Sequence, residues 1–348
     1  LVGGLIIAPH SDFLGALYLI AALYCLVASG AVVVIGLCRL DAPALPKLAA
    51  ALGVPAVALA ALSLVWARTD SDFVLRVNQD SSNDRVVFHR PGLQGVTTVI
   101  QNALDARRDQ LLINGSGMTV KVTDTKMMAH LPLLIHPNPE NILVICLGMG
   151  TTFRSAVSHG KRVTVVEIVQ EVVDALPLFY KDADQFKTAH GSRIVVDDGR
   201  HFLRVTREKF DVITIDPPPP IDAAGVNNFY SLDFFELVKQ RLNKGGIMAH
   251  WMPLPGTNSG VDDIATLQRL MLTFGQAFPY NAARRSLNHV GIHLLGSMEP
   301  LRISAADIAL RAAAPSVAKD LSEWDRPTPA WMAANWTSLD PAEVAANS

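Results

Sequence analysis

Cysteine is scarce in this chain of 348 residues. Cys25, Cys38 and Cys146 make three, an odd number, and each lies in an apolar run. Such a set builds no disulfide framework and has none of the paired spacings that hold zinc, so the thiols read as reduced and buried. An excess of charge is missing too: 30 Lys and Arg stand against 32 Asp and Glu, a formal net charge of -2. No basic field draws the chain onto nucleic acid, and there is no acidic tail. The ten histidines contain no H-E-x-x-H pair, and no metal is implied. His130, His136, His201 and His250 read as structural, with His250 the first exception because it ends a strand facing a crevice. Internal repeats and low-complexity tracts are absent, which excludes a repeat architecture.

Apolar residues, by contrast, make up 50% of the chain, and they are concentrated near its start. Residues 13–38 pass without a charge, more than the ~20 residues a helix needs to cross a bilayer. A second run, 48–67, is rich in Ala and Leu, contains Pro55 and is closed by Arg68. Two transmembrane helices are expected, the second with a buried soluble helix as its alternative. A signal peptide fits poorly, since the runs are long and no small-residue cleavage pattern follows. Neither run holds an internal charge, so an anchor is the plain reading and the remnant of a transporter the sharper one. The chain opens on Leu1 within apolar residues, which suggests an upstream portion. Arg39 and Lys47 lie between the runs and Arg68 and Arg76 beyond them, so charge does not set the orientation.

From there the pattern changes. Short β-rich stretches at 85–89, 97–100 and 110–113 are punctuated by Pro91-Gly92 and Asn114-Gly115, the signature of a small antiparallel sheet. Apolar strands at 142–146, 162–167, 193–197, 210–215, 246–251 and 290–295 then alternate with amphipathic helices, notably 231–242 and 261–278, as βαβ units of a parallel sheet do. Residues 301–348 are Ala-rich helical material followed by Pro, Trp and Asn, with no chemistry to name.

Four features at strand ends carry chemistry. The first strand runs into Gly148-Met149-Gly150, where glycine lets backbone approach a ligand at a helix N-terminus, although a plain turn has the same look. The next strand ends at Glu167, about 20 residues on, where a carboxylate can accept both ribose hydroxyls. Asp198, before Gly199, either caps a helix or reaches an adenine amino group, and the two roles are compatible. Asp216 precedes four prolines, 217–220; it is a proton acceptor or amine holder beside a stiff lip, or a turn-forming residue.

Taken in series, M-M-A-H-L-P-L-L-I-H-P-N-P at 127–139, G-M-G-T-T-F-R-S, V-V-E-I, D-D-G-R, D-V-I-T-I-D-P and N-F-Y-S-L-D-F-F-E-L resemble the spermidine synthase superfamily, in particular members fused to membrane helices. The resemblance covers about residues 85–296. It implies an α/β chain with a Rossmann-like class I methyltransferase fold, a small N-terminal antiparallel β domain and preceding transmembrane helices. The divisions expected are 1–68 for the membrane helices, 69–125 for the β domain, 126–300 for the adenosyl-binding domain and 301–348 for a helical tail.

The resemblance also implies roles. Glu167 matches the acid that binds the donor's ribose, Asp198 the acid that contacts its adenine, and Asp216 the acid that deprotonates or positions the attacking amine. Gly148, Met149, Gly150 and Gly199 fall in the nucleoside-binding segments. Tyr230 lies on the loop that would close over the acceptor, as a steering hydroxyl or as a packing residue. Four positions depart from the family. Pro219 stands where a second acid would hold a diamine, and Met149 where an acid would hold the donor's ammonium. Asp124 and Thr125 replace a Tyr-Gln pair, and Asp222 is a candidate substitute for the lost acid. The activity implied is aminopropyl transfer from decarboxylated S-adenosylmethionine to a putrescine-like amine, releasing methylthioadenosine. Two rivals stand beside it: a transferase using intact S-adenosylmethionine, and a non-catalytic adenosyl sensor beneath a transporter. A multi-pass membrane location, a cytoplasmic catalytic domain and a homodimer complete the expectation; nucleic acid and metal are not implied.

Overall fold

A computed structural model describes residues 82–339, except 120, 216, 218–224, 256–260, 262 and 326, together with scattered positions between 20 and 61. The chain divides into two compact units, Leu1–Leu104 with Leu112–Ser116, and Asp105–Leu111 with Gly117–Ser348.

In the first unit, strands β1 (Asp84–Gly92) and β2 (Gly95–Asn102) pair antiparallel, from Asp84 opposite Asn102 to Gly92 opposite Gly95. Pro91-Gly92 ends β1 inside the ladder, so the turn comes two residues later than its composition suggests. With β3 (Gln110–Ile113) and β4 (Ser116–Thr119) they form a sheet in the order β1-β2-β3-β4. Asn114 and Gly115 both have positive φ, 52° and 80°, as a two-residue hairpin turn requires, and Asn114 Oδ1 accepts the Val96 N–H at 2.9 Å.

The second unit is built on a seven-stranded sheet. Its strands are β5 (Asn141–Ile145), β6 (Arg162–Glu167), β7 (Arg193–Val196), β8 (Phe210–Ile215), β9 (Leu242–Pro253), β10 (Tyr280–Arg285) and β11 (Gly291–Ser297), in the order β10-β11-β9-β8-β5-β6-β7. Strands β5 to β9 are mutually parallel, and β10 and β11 antiparallel. Helices cover both faces because successive strand side chains point opposite ways. On β9, Met248 and Met252 join a core with α5 (Gly199–Val205), α6 (Leu232–Arg241) and α7 (Ile264–Ala277). Ile247 and Ala249 join another with α1 (Thr123–Ile135), α8 (Ala305–Ala312), α9 (Pro315–Leu321) and α10 (Pro329–Ala333). The remaining helices are α2 (Thr151–Val157), α3 (Gln170–Phe179) and α4 (Ala183–Phe186). Caps set several helix starts, with Ser231 Oγ accepting from Phe234 N and Asp263 Oδ1 from Thr266 N.

Strand β10 has no counterpart in the sequence reading. Its composition, Y-N-A-A-R-R, carries no apolar alternation, and it is set by pairing with β11 from Tyr280 opposite Ser297 to Arg285 opposite Ile292. Ala283 and Thr337 exchange two backbone bonds at 2.8 and 2.9 Å, so the C-terminal segment covers the open edge of β10.

One expectation is corrected. No helix among the described residues is long and apolar enough to cross a membrane. The longest, α7, has 14 residues, about 21 Å at ~1.5 Å per residue against ~30 Å of hydrocarbon. That finding goes against the transmembrane helices expected ahead of the α/β unit and the multi-pass membrane location drawn from them, and neither is retained. The runs 13–38 and 48–67 that suggested them lie, scattered positions aside, outside the described residues.

Candidate functional site

Strand β5 has β6 on one side and β8 on the other. The chain proceeds outward from β6 to β7 and from β8 to β9, so the strand order reverses at β5. A ligand crevice opens at such a switch point, beyond the carboxyl ends of the strands. The loop that leaves β5 there is strained: Cys146 sits at φ 71°, Gly148 at 52° and Gly150 at 85°. A non-glycine residue at positive φ is a local cost held by its surroundings, and nothing in the cysteine's apolar context signals it. Gly150 is the N-cap of α2, and a Cβ there would lie 2.3 Å from Leu176 Cδ1. Gly150→Ala is therefore expected to lower the unfolding free energy by about 2 kcal/mol, read as a denaturant midpoint; an unmoved midpoint would show that the loop yields freely. Met149 between the glycines is interior, 1% exposed, so its side chain packs into the unit.

Glu167, the last residue of β6, is buried. Its Oε2 accepts the Leu147 N–H at 2.8 Å and its Oε1 the Val169 N–H at 2.9 Å, tying the loops after β5 and β6 together. Burial raises its carboxyl above the usual range, opposed by these backbone donors. The backbone N–H groups of Ile168 and Gly148 bond to the same carboxylate, so four backbone donors surround it. Asp198 caps α5: its Oδ1 accepts from Arg200 N at 2.7 Å and His201 N at 3.0 Å, and Oδ2 takes no bond among the described residues. Gly199 lets α5 approach β5, since a Cβ would meet Ile145 Cγ2 at 2.6 Å. Ile168 and Val196, 43% and 46% exposed, add apolar surface beside these acids, suited to the face of a flat ring.

Towards β9 the groups are buried rather than open. Tyr230, in a 3-10 turn spanning Asn227–Tyr230, is buried with its ring 4.8 Å from that of His250. His250 lies beside Ile215, the last residue of β8. Its ring nitrogens stand 3.0 Å from Trp251 O and 3.2 Å from Phe229 O. Burial pushes its pKa down to about 4, so the neutral ring has one N–H for two carbonyls. Asp216, which follows Ile215 in the chain, lies outside the described residues, as do Pro219 and Asp222.

Comparison with known proteins shows what part of the chain resembles. Residues 122–254 match the family model of the spermine/spermidine synthase domain. That stretch of the chain resembles the spermine/spermidine synthase domain. A polyamine aminopropyltransferase from Methanocaldococcus jannaschii is 33% identical over 136 residues, covering 37% of this chain and 44% of that protein. One from Yersinia pseudotuberculosis is 31% identical over 183 residues, covering 50% and 55%. The chain thus spans about half the length of the curated relatives it matches. The solved spermidine synthase from Thermotoga maritima superposes with a TM-score of 0.56 at 19% identity, covering 74% of this chain and 84% of that one, a likeness of fold.

Within the matched stretch, two of the departing positions have structural occupations. Asp124 is buried and accepts from Leu287 N at 2.6 Å, Asn288 N at 2.9 Å and His293 Nε2 at 3.4 Å, so it anchors the turn between β10 and β11. Thr125 offers its carbonyl to Thr152 Oγ1 at 3.0 Å, joining α1 to the first turn of α2. None of these contacts was legible from spacing, with Asp124 and His293 169 residues apart and Thr125 and Thr152 27. For Glu167→Gln the expectation is a roughly tenfold to hundredfold weaker dissociation constant for methylthioadenosine, because one charge-assisted hydrogen bond contributes about 1.5–3 kcal/mol. Calorimetric titration reads it, and an unchanged constant removes Glu167 from the site.

Proposed function

We propose that this protein is an aminopropyltransferase that moves the aminopropyl group of decarboxylated S-adenosylmethionine to a small amine such as putrescine, releasing methylthioadenosine. The observation that carries the reading is a coincidence of position. The stretch matching the spermine/spermidine synthase domain contains the acids and glycines gathered at the carboxyl edge of β5, β6 and β7, and the curated relatives over that stretch are polyamine aminopropyltransferases.

In this reading Glu167 accepts the ribose hydroxyls, Asp198 Oδ2 meets the adenine amino group, and Ile168 and Val196 flank the base. The acceptor enters as an alkylammonium and must lose a proton before its nitrogen lone pair can attack. Asp216 takes that proton. The new C–N bond forms at the aminopropyl carbon next to the sulfonium as the C–S bond breaks, and sulfur keeps the electron pair in methylthioadenosine. Holding both partners in line supplies much of the acceleration. Pro219 carries no charge where the family pattern has an acid, so the acceptor's distal end is held with one carboxylate fewer, and Asp124, committed to the β10–β11 turn, does not replace it.

The test is methylthioadenosine release by purified protein, with decarboxylated or intact S-adenosylmethionine, over a panel of diamines and amino acids. Release with the decarboxylated donor and an amine is expected. Turnover confined to the intact donor overturns the aminopropyl assignment, and nucleoside binding without release from any pair overturns catalysis.

A further inference from the structure

Asp320 on α9 lies outside the stretch that matches the superfamily domain, in the segment whose sequence carried no chemistry. Its side chain is nearly buried, yet four side chains converge on its carboxylate. Oδ2 accepts from Ser155 Oγ at 2.8 Å and lies 2.8 Å from His130 Nε2. Oδ1 lies 3.3 Å from Lys126 Nζ and 3.4 Å from Arg154 Nη1. Lys126 and His130 belong to α1, and Arg154 and Ser155 to α2. Lys126 also donates to the carbonyl of Asp320 at 2.6 Å. One carboxylate from the C-terminal segment therefore joins two helices of the matched stretch.

The connections continue to the loop that leaves β5. Arg154 donates to Asp182 at 3.0 Å and Glu323 at 2.7 Å, and its guanidinium lies 4.9 Å over the Tyr180 ring. The Tyr180 hydroxyl is 2.7 Å from Thr151 Oγ1, and Thr151 is the first residue of α2, directly after Gly150. A helix of seven residues has no stability of its own, so its placement depends on what grips it. Lys126 and His130 are fully buried, and a buried charge or ring left without its partner is costly, which makes the arrangement sharply defined. Burial alone would raise the Asp320 carboxyl; His130, Lys126 and Ser155 outweigh it and hold it well below the usual carboxylate range. The carboxylate is therefore ionised at every pH at which an amine can attack.

We propose that Asp320 is a positioning residue of the adenosyl site, fixing α2 against α1 and thereby setting the backbone of the loop 146–150 that meets the nucleoside. The proposal rests on the reading of that loop as the nucleoside site, and it makes the C-terminal segment part of donor binding.

The experiment compares the full chain with Asp320→Ala at a temperature well below either melting point. In the variant, methylthioadenosine is expected to bind ~10–100-fold more weakly, and the donor KM to rise by a similar factor with kcat nearly unchanged. Amide exchange in α2 should quicken at least ~10-fold while β8 and β9 exchange at parent rates. A folded variant with parent affinity and parent exchange in α2 overturns the proposal. So does a lowered melting point with an unchanged donor KM, the mark of a purely structural role. If Asp320→Ala does not fold, Ser155→Ala removes one of the four contacts and should give a ~3–10-fold change in both readouts; parent values there overturn the proposal as well. A parent that binds no methylthioadenosine overturns the site reading, and α2 exchange then decides the positioning claim by itself.

Discussion

Replacing Asp216 by Asn is expected to cut turnover by ~10²–10⁴-fold while methylthioadenosine binds as it does to the parent. Asn keeps the shape of the side chain and one acceptor oxygen, and loses only the ability to take a proton. An amine acceptor is almost wholly protonated near neutral pH, and its ammonium form has no lone pair with which to attack. The described neighbour best placed to substitute is His250, beside the end of β8, and it is unsuited. Its pKa is pushed down to about 4 by burial, and both ring nitrogens face backbone carbonyls. A weakly basic, enclosed imidazole cannot replace a carboxylate. Initial rates of methylthioadenosine release at saturating donor, with calorimetric binding alongside, test the point. Turnover of Asp216→Asn at the parent rate excludes Asp216 as the base; equal losses in turnover and nucleoside affinity would place it at the donor instead.

The parallel part of the sheet was legible because its strands are continuous apolar runs closed by polar or glycine residues. The limits of β6 and β8 coincide with the patterned stretches 162–167 and 210–215, and α6 and α7 fall within the expected helical spans. Each of these elements announces itself locally. Strand β10 does not, because its place depends on pairing with β11. The acids at strand ends were visible for the same local reason, and the structure puts Glu167 and Asp198 at the edge where β5, β6 and β7 end. What the spacing could not show is which polar groups are already occupied. Asp124 is committed to Leu287, Asn288 and His293, and Asp320 to residues 165–194 positions away. Such contacts are set by tertiary packing, and no periodicity encodes them. The membrane expectation rested on apolar length alone, a criterion that no helix among the described residues meets.

Acidification is expected to destabilise the protein steeply between pH 6.5 and 4, and His250 alone accounts for about 3 kcal/mol of the loss. His136, His159, His250 and His293 all have pKa values lowered first of all by burial. The fold disfavours their protonation, whereas the unfolded chain takes up protons once the pH drops below ~6.5. Their contribution is therefore complete above the unfolded value and disappears as pH falls towards the folded one. For His250 the interval runs from 6.5 to about 4, and each pKa unit is worth ~1.4 kcal/mol. Glu167 acts in the opposite sense: its raised carboxyl regains stability on protonation, which offsets part of the loss. Asp124, Asp211 and Asp320, with lowered values, remain ionised across this window and drop out only in stronger acid. Urea midpoints measured from pH 7.5 to 4 should show the fall, and His250→Gln should flatten it by about 3 kcal/mol, whatever the substitution costs at pH 7.5, because Gln donates to a carbonyl without titrating. A parent whose midpoint is level across this range, or a variant with the parent's full acid slope, would mean that His250 is not held neutral by the fold.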